Sequence, residues 1–240
     1  MRIKREHYRF FLSLVIMPIL ALETATEACS VALYLDSGQV ISRYQVAPRL
    51  QTQLLLPMID ELLAEAQLSA SALTAIAYSR GPGSFTGVRI AAAAAQGLAF
   101  GWDLPVIAIS SLQTLAQTAY RLAGYTHVLA AFDARMNEIY LGAYTLQGQI
   151  MQPVMPEVVC SPQQVPVILQ DHWALVGDGA SYNAQLQAQI QTILHTQADI
   201  YPHAYDLAIL ASIIGHAQAP ELALPVYLRD SVWQKLANKS

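Results

Sequence analysis

A glycine-rich stretch, with the sequence SRGPGSFTGVRIAAAAAQGLA, contains the residue types that often hold a phosphate group. Glycines at the start of a helix can leave backbone N–H groups free to bind an anion. The spacing fits none of the usual motifs, because Gly81 and Gly87 are six positions apart and Val88 stands where a Walker loop has lysine. The dinucleotide pattern fails because Gly87 comes one position late, and the GxSxG elbow of hydrolases fails because Ser84 directly follows Gly83.

Two interpretations of this turn stay open. In the first, it is a strand-to-helix turn in which glycines supply unusual backbone angles and Thr86 caps the helix. In the second, the free amides around Gly83, Ser84 and Thr86 bind an anion. We favour the first interpretation.

The other residues that could do chemistry do not assemble into an active site. None of the six histidines has a partner at HxxxH or HExxH spacing, and Ser84 has no neighbouring motif that supplies a general base. Asp133, Arg135 and Glu138 cluster in the segment DARMNEIY, at a tight turn between two strands. They either form an ion pair that stabilises the hairpin or contact a ligand or the other lobe. We therefore predict no catalytic residue and no metal site.

Composition favours a protein with a protein partner. The 240 residues are 54% hydrophobic and 12% charged, which provides more apolar surface than one core requires. The net charge is -4, and no run of Lys or Arg follows the N-terminal region, so strong direct binding to a nucleic acid is not expected. Cys29 and Cys160 belong to no CxxC pair, and we predict two reduced, buried thiols in a cytosolic protein.

The N-terminal region has a basic start and an apolar run, which is the outline of a signal peptide. Glu23 and Glu27 interrupt the region where cleavage would occur, and Pro18 lies in an apolar run that is too short to span a membrane. We predict that residues 1–16 are an extension outside the fold, of the kind that a misassigned start codon produces, and we expect no membrane segment.

The order of predicted elements indicates an α/β fold. Three strands in a meander are predicted at Ile19–Glu23, Ser30–Asp36 and Gln39–Val46. A helix is predicted over Leu50–Ser69, with a kink or a restart near Leu56 because Pro57 lies within it. Strands then alternate with helices, one of them capped by Ser111, as in a parallel sheet with crossovers. The pattern starts again after residue 124, so we predict a first lobe over residues 17–123 and a smaller second lobe, with a tail that packs back on the first, over 124–240.

Two helices carry more apolar surface than a single core can cover. The helix that begins at Leu50 is apolar on more than one face, and the helix after the glycine turn is polar only at Arg89 and Gln96. Either these helices are central to their own domain, or they form a bundle with the helices of a partner, which is the interpretation we favour. The residues predicted at that interface are Leu55, Ile59, Leu62, Ala91, Ala92, Ala95 and Gly97.

Five segments, in this order along the chain, resemble the TsaB (YeaZ) family. They are ILALETATEACSVAL at 19–33, LLLPMIDELL at 54–63, YSRGPGSFTGVRIAAAAAQGLA at 78–99, AAFDARMNEIY at 130–140 and PVYLR at 225–229. The segments GPGSFTG and DARMNEIY are highly specific, and the resemblance covers residues 17–235.

The resemblance implies the two-lobed actin-like ATPase (ribonuclease H-like) fold, with mixed sheets flanked by helices and a degenerate second lobe. It implies a non-catalytic subunit of the bacterial machinery that forms N6-threonylcarbamoyladenosine (t6A) beside the anticodon, in tRNAs that read codons starting with A. Members of this family pair with the metal-bearing transferase TsaD, and the ATPase TsaE joins them. The further expectations are a cytoplasmic protein, a homodimer when alone, and tRNA held only through the partner. No tightly bound cofactor is expected, with ATP or ADP at the interface of the complex.

The resemblance also adds two residues to the anion or nucleotide candidates. In catalytic relatives the first strand ends in an aspartate-containing phosphate loop, and the matching positions here are Glu23 and Thr24. Many members have aspartate at the position of Glu23, and this difference weakens the case for nucleotide chemistry in this chain. A second difference is Gln51, at a position where the family often has histidine. Two alternatives belong to other classes: an independent ATP-dependent kinase-like enzyme, and a peptidase, as an older glycoprotease label of the family suggests.

Overall fold

Two sheets of six strands each, with helices packed on them, form the part of the chain that the computed structural model describes, residues 18–165 and 172–229. The strands are β1 (Ile19–Glu23), β2 (Ala28–Tyr34), β3 (Val40–Val46), β4 (Ala75–Ser79), β5 (Val106–Ile109), β6 (His127–Arg135), β7 (Glu138–Gln147), β8 (Ile150–Pro153), β9 (Val158–Cys160), β10 (Trp173–Val176), β11 (Ile193–Gln197) and β12 (Ala217–Gln218). The helices are α1 (Gln51–Glu65), α2 (Phe85–Trp102), α3 (Ser111–Ala123), α4 (Asn183–Gln189) and α5 (Ala204–Ile214). This mixed α/β architecture confirms the predicted fold class. The predicted extension, residues 1–16, lies outside the described residues.

Strand β1 lies inside the first sheet, whose order is β12-β5-β4-β1-β2-β3. It runs parallel to β4 and antiparallel to β2, and all five of its residues are buried. Alternate side chains point to opposite faces of a strand. Leu20 and Leu22 therefore pack with α1 and α2, whereas Ile19 and Ala21 pack with α5. Helices on both faces explain why the first four residues of this strand are all apolar.

The second sheet has the order β11-β10-β6-β7-β8, with β9 paired to β7. Strands β6 and β7 form an antiparallel hairpin whose turn contains Arg135, Met136 and Asn137, each with a positive φ. Helix α3 covers the face that carries Val128, and α4 covers the face that carries Leu129. The segment DARMNEIY is thus the connection of the central hairpin, as predicted.

The chain crosses between the two sheets more often than a boundary at residue 124 implies. Leu112 and Leu115 of α3 belong to the core of the second sheet, although α3 precedes that boundary. Conversely, α5 packs on the first sheet through Leu207, and β12 pairs with β5 at its edge. The reason is that α1 and α2 cover only one face of the first sheet, and the apolar helix α5 supplies the cover for the other.

Three details of the helices differ from the predictions. Helix α1 ends at Glu65 and continues through Pro57, which is exposed, so that water can satisfy the carbonyl group that loses its helical hydrogen bond. Ser84 rather than Thr86 is the N-cap residue of α2, because its Oγ accepts from the Gly87 N–H over 3.4 Å.

The N-cap residue of α3 is likewise one position earlier than predicted: it is Ser110, not Ser111. Within the described residues, no helix is both long enough and apolar enough to cross a membrane.

The last described segment, residues 219–229, runs along both lobes. The Gln96 side chain donates to the carbonyl of Pro220 over 3.3 Å, and the Val226 N–H donates to the carbonyl of Arg80 over 2.8 Å. At its end, the Arg229 guanidinium lies 2.6 Å from the carboxylate of Glu138 in the β6–β7 hairpin. This segment therefore connects α2 in the first lobe to the second lobe.

Candidate functional site

The glycine turn before α2 packs its backbone directly against the turn between β1 and β2. A Cβ atom at Gly83 would lie 2.5 Å from the carbonyl oxygen of Ala25, and one at Gly87 would overlap the carbonyl oxygen of Thr24. The Ser84 N–H donates to the Ala25 carbonyl over 2.7 Å. Close contact between two backbone segments therefore explains both glycines, which favours the structural interpretation of the turn.

The five residues considered for an anion contact do not share one surface. Ser84 and Thr86 are exposed, and Gly83 is half-buried. Glu23 and Thr24 are fully buried, and the Thr24 hydroxyl donates to the Gly87 carbonyl over 2.8 Å. Glu23 and Thr24 thus belong to the contact between the two turns and do not reach the solvent from which an anion would bind.

Glu23 is a buried carboxyl group with one unsatisfied oxygen. Its Oε1 accepts from the Ala25 N–H over 2.6 Å, whereas none of the described residues forms a hydrogen bond with Oε2. Burial raises the pKa of Glu23 to about 7, although the Ala25 N–H and the nearby Ser79 hydroxyl favour the charged form. The group is therefore partly neutral near pH 7, which is consistent with its apolar surroundings.

Neither thiol is activated as a nucleophile. Burial and the charge of Glu23 raise the pKa of Cys29 to about 11, and burial and the charge of Glu138 raise the pKa of Cys160 to about 11. Both cysteines are free; Cys29 is buried, as predicted, and Cys160 is half-buried. Within residues 18–165 and 172–229, no three His, Cys, Asp or Glu side chains are grouped so that they could hold a metal ion.

Two residues of the hairpin segment, Asp133 and Arg135, line a cleft of about 1090 Å³ between the lobes, whereas Glu138 is not part of its lining. Asp133 pairs with Arg135 over 2.9 Å, and the Asp133 N–H donates to Asp178 over 3.0 Å. Glu138 pairs instead with Arg229, at the end of the segment that runs along both lobes. The structure therefore contains the predicted hairpin ion pair and, through Glu138, a contact to the segment that also packs on the first lobe.

Six of the seven residues that we predicted at a partner interface lie in the chain's own core. They are Leu55, Ile59, Leu62, Ala91, Ala92 and Ala95. Only Gly97 is exposed, and a Cβ atom there would have nothing within 4 Å. The exposed surface of α1 and α2 is formed by other residues, which include Leu56, Phe85 and Phe100, with 52%, 68% and 59% of their surface exposed. These large side chains are the candidates that the sequence analysis missed.

A buried polar network around His203 was also missed. The His203 Nδ1 accepts from the Tyr205 N–H over 3.0 Å and lies 3.3 Å from the Ser30 hydroxyl, which in turn accepts from the Ala204 N–H. Burial, with the positive charge of Arg121, lowers the pKa of His203 to about 4. The network fixes the start of α5 on the first sheet. No sequence signal marks it, because Ser30 and His203 are 173 residues apart.

Comparisons with known proteins find relatives in the biosynthesis of threonylcarbamoyladenosine in tRNA. A family model described as TsaD, tRNA N6-adenosine threonylcarbamoyltransferase, matches residues 43–214. The tRNA threonylcarbamoyladenosine biosynthesis protein TsaB of Escherichia coli (strain K12) is 43% identical over 231 residues, which are 93% of this chain and 100% of that protein. The protein of the same name from Haemophilus influenzae is 42% identical, over 93% of this chain and 98% of its own. A solved structure, YeaZ from Pseudomonas aeruginosa, has a TM-score of 0.82 and 47% identity, and it covers 88% of this chain and 99% of that one.

Proposed function

The chain belongs to the TsaB family of tRNA threonylcarbamoyladenosine biosynthesis proteins, and on this premise we propose that it is a non-catalytic subunit that pairs with the transferase TsaD. Its role is in the formation of t6A in tRNA, as the names of its relatives state. In the proposed complex TsaD performs the transfer, this chain supports TsaD, and the ATPase TsaE completes the assembly.

The exposed apolar surface of α1 and α2 is the observation that carries this proposal. Phe85 and Phe100, at opposite ends of α2, and Leu56 in α1 are each more than half exposed. Between the two phenylalanines, Ala93 and Gly97 are exposed and four positions apart, so they lie on one side of α2. Small residues allow the backbone of a second helix to approach closely, and the large side chains then pack beside it. A helix of TsaD is the occupant that we propose.

The chemical groups of the chain support a role without catalysis. The carboxyl group of Glu23 is buried, and both thiols have raised pKa values. The Ser84 hydroxyl caps α2, and no side chain of the described residues forms a hydrogen bond with it that could serve as its general base. Neither the two thiols nor the Ser84 hydroxyl thus has a neighbour that would activate it as a nucleophile.

The same proposal covers the remaining partners. The net charge of -4 favours tRNA binding through TsaD rather than through this chain. An uncovered apolar helix surface favours self-association when TsaD is absent, so a homodimer is the form we propose for the isolated chain in the cytoplasm. A nucleotide, if the complex holds ATP or ADP at its interface, would bind with the help of TsaD, because the glycine turn here is occupied by the β1–β2 turn.

Reconstitution of tRNA modification tests the proposal. Purified TsaD, TsaE and the threonylcarbamoyl-adenylate synthase are combined with tRNA, and t6A is measured with and without this chain. We expect modification only when the chain is present. A Ser84→Ala variant and a Glu23→Gln variant should stay within a few-fold of the parent, since neither side chain does chemistry. A loss of about a thousandfold in a folded, still associated variant, roughly 4 kcal/mol of barrier, would contradict a non-catalytic role.

A further inference from the structure

The cleft between the lobes collects positive charge in an acidic protein. The described residues contain seven arginines and no lysine, and four of these arginines line the cleft: Arg49, Arg89, Arg135 and Arg229. The whole chain has a net charge of -4, so this concentration does not follow from composition. Glu27, Asp133 and Asp178 also line the cleft, so its four positive groups exceed its negative groups by one, and a negatively charged group can pair there only with arginines that have no carboxylate partner.

Two of the four arginines have no carboxylate partner among residues 18–165 and 172–229. Arg135 pairs with Asp133 and Arg229 pairs with Glu138, whereas no carboxylate lies within 4 Å of Arg49 or Arg89. These two therefore remain available to an anionic group from outside the chain.

Arg89 is held in place by aromatic rings. Its guanidinium lies 3.2 Å from the ring centroid of Phe85 and 5.0 Å from that of Tyr227, and it donates to the Phe85 carbonyl over 3.1 Å. This cation–π arrangement fixes the position of the charge without neutralising it.

The cleft also carries large apolar side chains at its opening. Met136 is 83% exposed and Phe85 is 68% exposed, and both line the cleft together with Tyr227. Grouped, strongly exposed apolar side chains of this size are typical of surfaces that bind a protein. Methionine is suited to such a role, because its flexible thioether adapts to different partners.

We propose that this cleft binds an acidic segment of a protein partner that also carries an aromatic or aliphatic side chain. The carboxylates of the segment pair with Arg49 and Arg89, and its apolar side chain packs on Phe85 and Met136. The binding site lies on both lobes and shares Phe85 with the surface proposed for TsaD, whereas Arg49 and Met136 line the cleft and are not part of that surface. Peptide binding is measured on the isolated chain, so this proposal can fail independently of the pairing with TsaD.

The geometry favours a peptide over a nucleotide. The contact of the glycine turn with Thr24 and Ala25 accounts for Gly83 and Gly87, so these glycines are no evidence for a bound phosphate. The volume of about 1090 Å³ is also larger than most small-molecule pockets, which measure about 300 to 1,000 Å³.

The charge distribution favours a peptide over RNA. Glu27, Asp133 and Asp178 line the cleft among the four arginines. Wherever RNA lay along the cleft, its phosphates would come close to these carboxylates. Pairing with only four arginines would also release few counterions from the RNA. A short peptide can place its own acidic side chains beside the arginines alone and leave neutral ones beside the carboxylates.

Fluorescence polarisation of the full chain tests the proposal with a labelled probe peptide, GDEFDELG. Two matched peptides separate its features: GNQFNQLG lacks the charges, and GDEADEAG lacks the apolar side chains. We expect saturable binding of GDEFDELG that weakens between about 50 mM and about 500 mM salt, and weaker binding of both matched peptides. Panning of a random peptide phage library on the chain provides a second measurement that does not depend on this one sequence, and it should enrich acidic sequences with an aromatic residue.

Variants of the chain locate the binding. An Arg49→Gln, Arg89→Gln double variant should lose about tenfold or more in affinity, because two charge-assisted contacts are removed. The control is Arg43→Gln, whose side chain pairs with Glu61 and Glu65 outside the cleft and whose loss should leave the affinity unchanged. Thermal melting confirms that each variant is folded.

The proposal is overturned if neither the probe nor any library peptide of this composition binds the folded chain. It is also overturned if the double variant binds like the parent. Displacement of the probe by ADP or by a single-stranded RNA oligonucleotide, with tighter binding of that competitor, would assign the cleft to a nucleotide or to RNA instead.

Discussion

Gly87 and Thr24 hold the start of α2 against the end of β1 by two contacts. No Cβ atom fits between Gly87 and the carbonyl oxygen of Thr24, and the Thr24 hydroxyl donates to the Gly87 carbonyl over 2.8 Å. The glycine turn is therefore a close contact between two backbone turns. Because α2 begins at this contact, the position of its exposed surface depends on it.

A pair of glycine substitutions in α2 tests this contact. Gly87→Ala should lower the free energy of unfolding by about 3 kcal/mol, since the added methyl group overlaps backbone that cannot move aside easily. Gly97→Ala is the matched control in the same helix, where a Cβ atom meets nothing within 4 Å, and it should raise stability by about 0.5–1 kcal/mol. Denaturant unfolding measures both. Equal effects of the two substitutions would contradict the account of the turn.

The buried carboxyl group of Glu23 should make stability fall as pH rises. Its pKa is about 7 in the folded chain and has an ordinary value of 4.5, so the folded state binds the proton more tightly. The stabilisation is complete below pH 4.5 and is lost by pH 7, a change of about 3 kcal/mol. Glu23→Gln should remove this dependence and be more stable than the parent at pH 8. The difference between parent and variant, measured by unfolding at several pH values, should vanish near pH 5; a constant difference would show that Glu23 does not titrate in this window.

The contribution of His203 to stability should change with pH in the opposite direction to that of Glu23, over an overlapping pH range. Its pKa is about 4 in the folded chain against an ordinary value of 6.5, so the unfolded state binds the proton more tightly. This contribution is present above pH 6.5 and is lost as pH falls to 4, again by about 3 kcal/mol. In His203→Asn, whose side-chain oxygen can still accept from the Tyr205 N–H, stability should fall less on acidification than in the parent. Parallel curves for parent and variant would argue against a buried neutral imidazole.

Much of the fold was predictable from local pattern. The apolar strand at Ile19–Glu23 has the predicted bounds, and the second strand, predicted at Ser30–Asp36, is found at Ala28–Tyr34. The hairpin around DARMNEIY and the strand–helix order after residue 75 also follow from the sequence. These features depend on hydrophobic periodicity and turn residues, which are local properties.

The buried face of α2 was not predictable for a physical reason. The helix has no polar face, because from Val88 to Gly101 only Arg89 and Gln96 interrupt the apolar residues and glycines, and a run of alanines does not indicate which side is buried. The alanines at 91, 92 and 95 were therefore assigned to a partner, although their small size is what lets α2 lie close to its own sheet. The return of α5 to the first sheet depends on contacts such as that of Ser30 with His203, which are too far apart in sequence to leave a pattern.

Association with TsaD is the most direct test of the central claim, that the exposed surface of α1 and α2 receives a helix of that partner. Gly97→Arg places a bulky charge on this surface without disturbing the core, since nothing lies within 4 Å of a Cβ atom there. Ala123→Arg is the control, at an exposed position of α3. Binding of purified TsaD is measured by calorimetry, with folding checked by circular dichroism. We expect Gly97→Arg to stay folded and to lose about a hundredfold or more in affinity, because a guanidinium would be buried without a partner, and we expect Ala123→Arg to bind like the parent. Unchanged affinity of a folded Gly97→Arg variant would contradict the central claim.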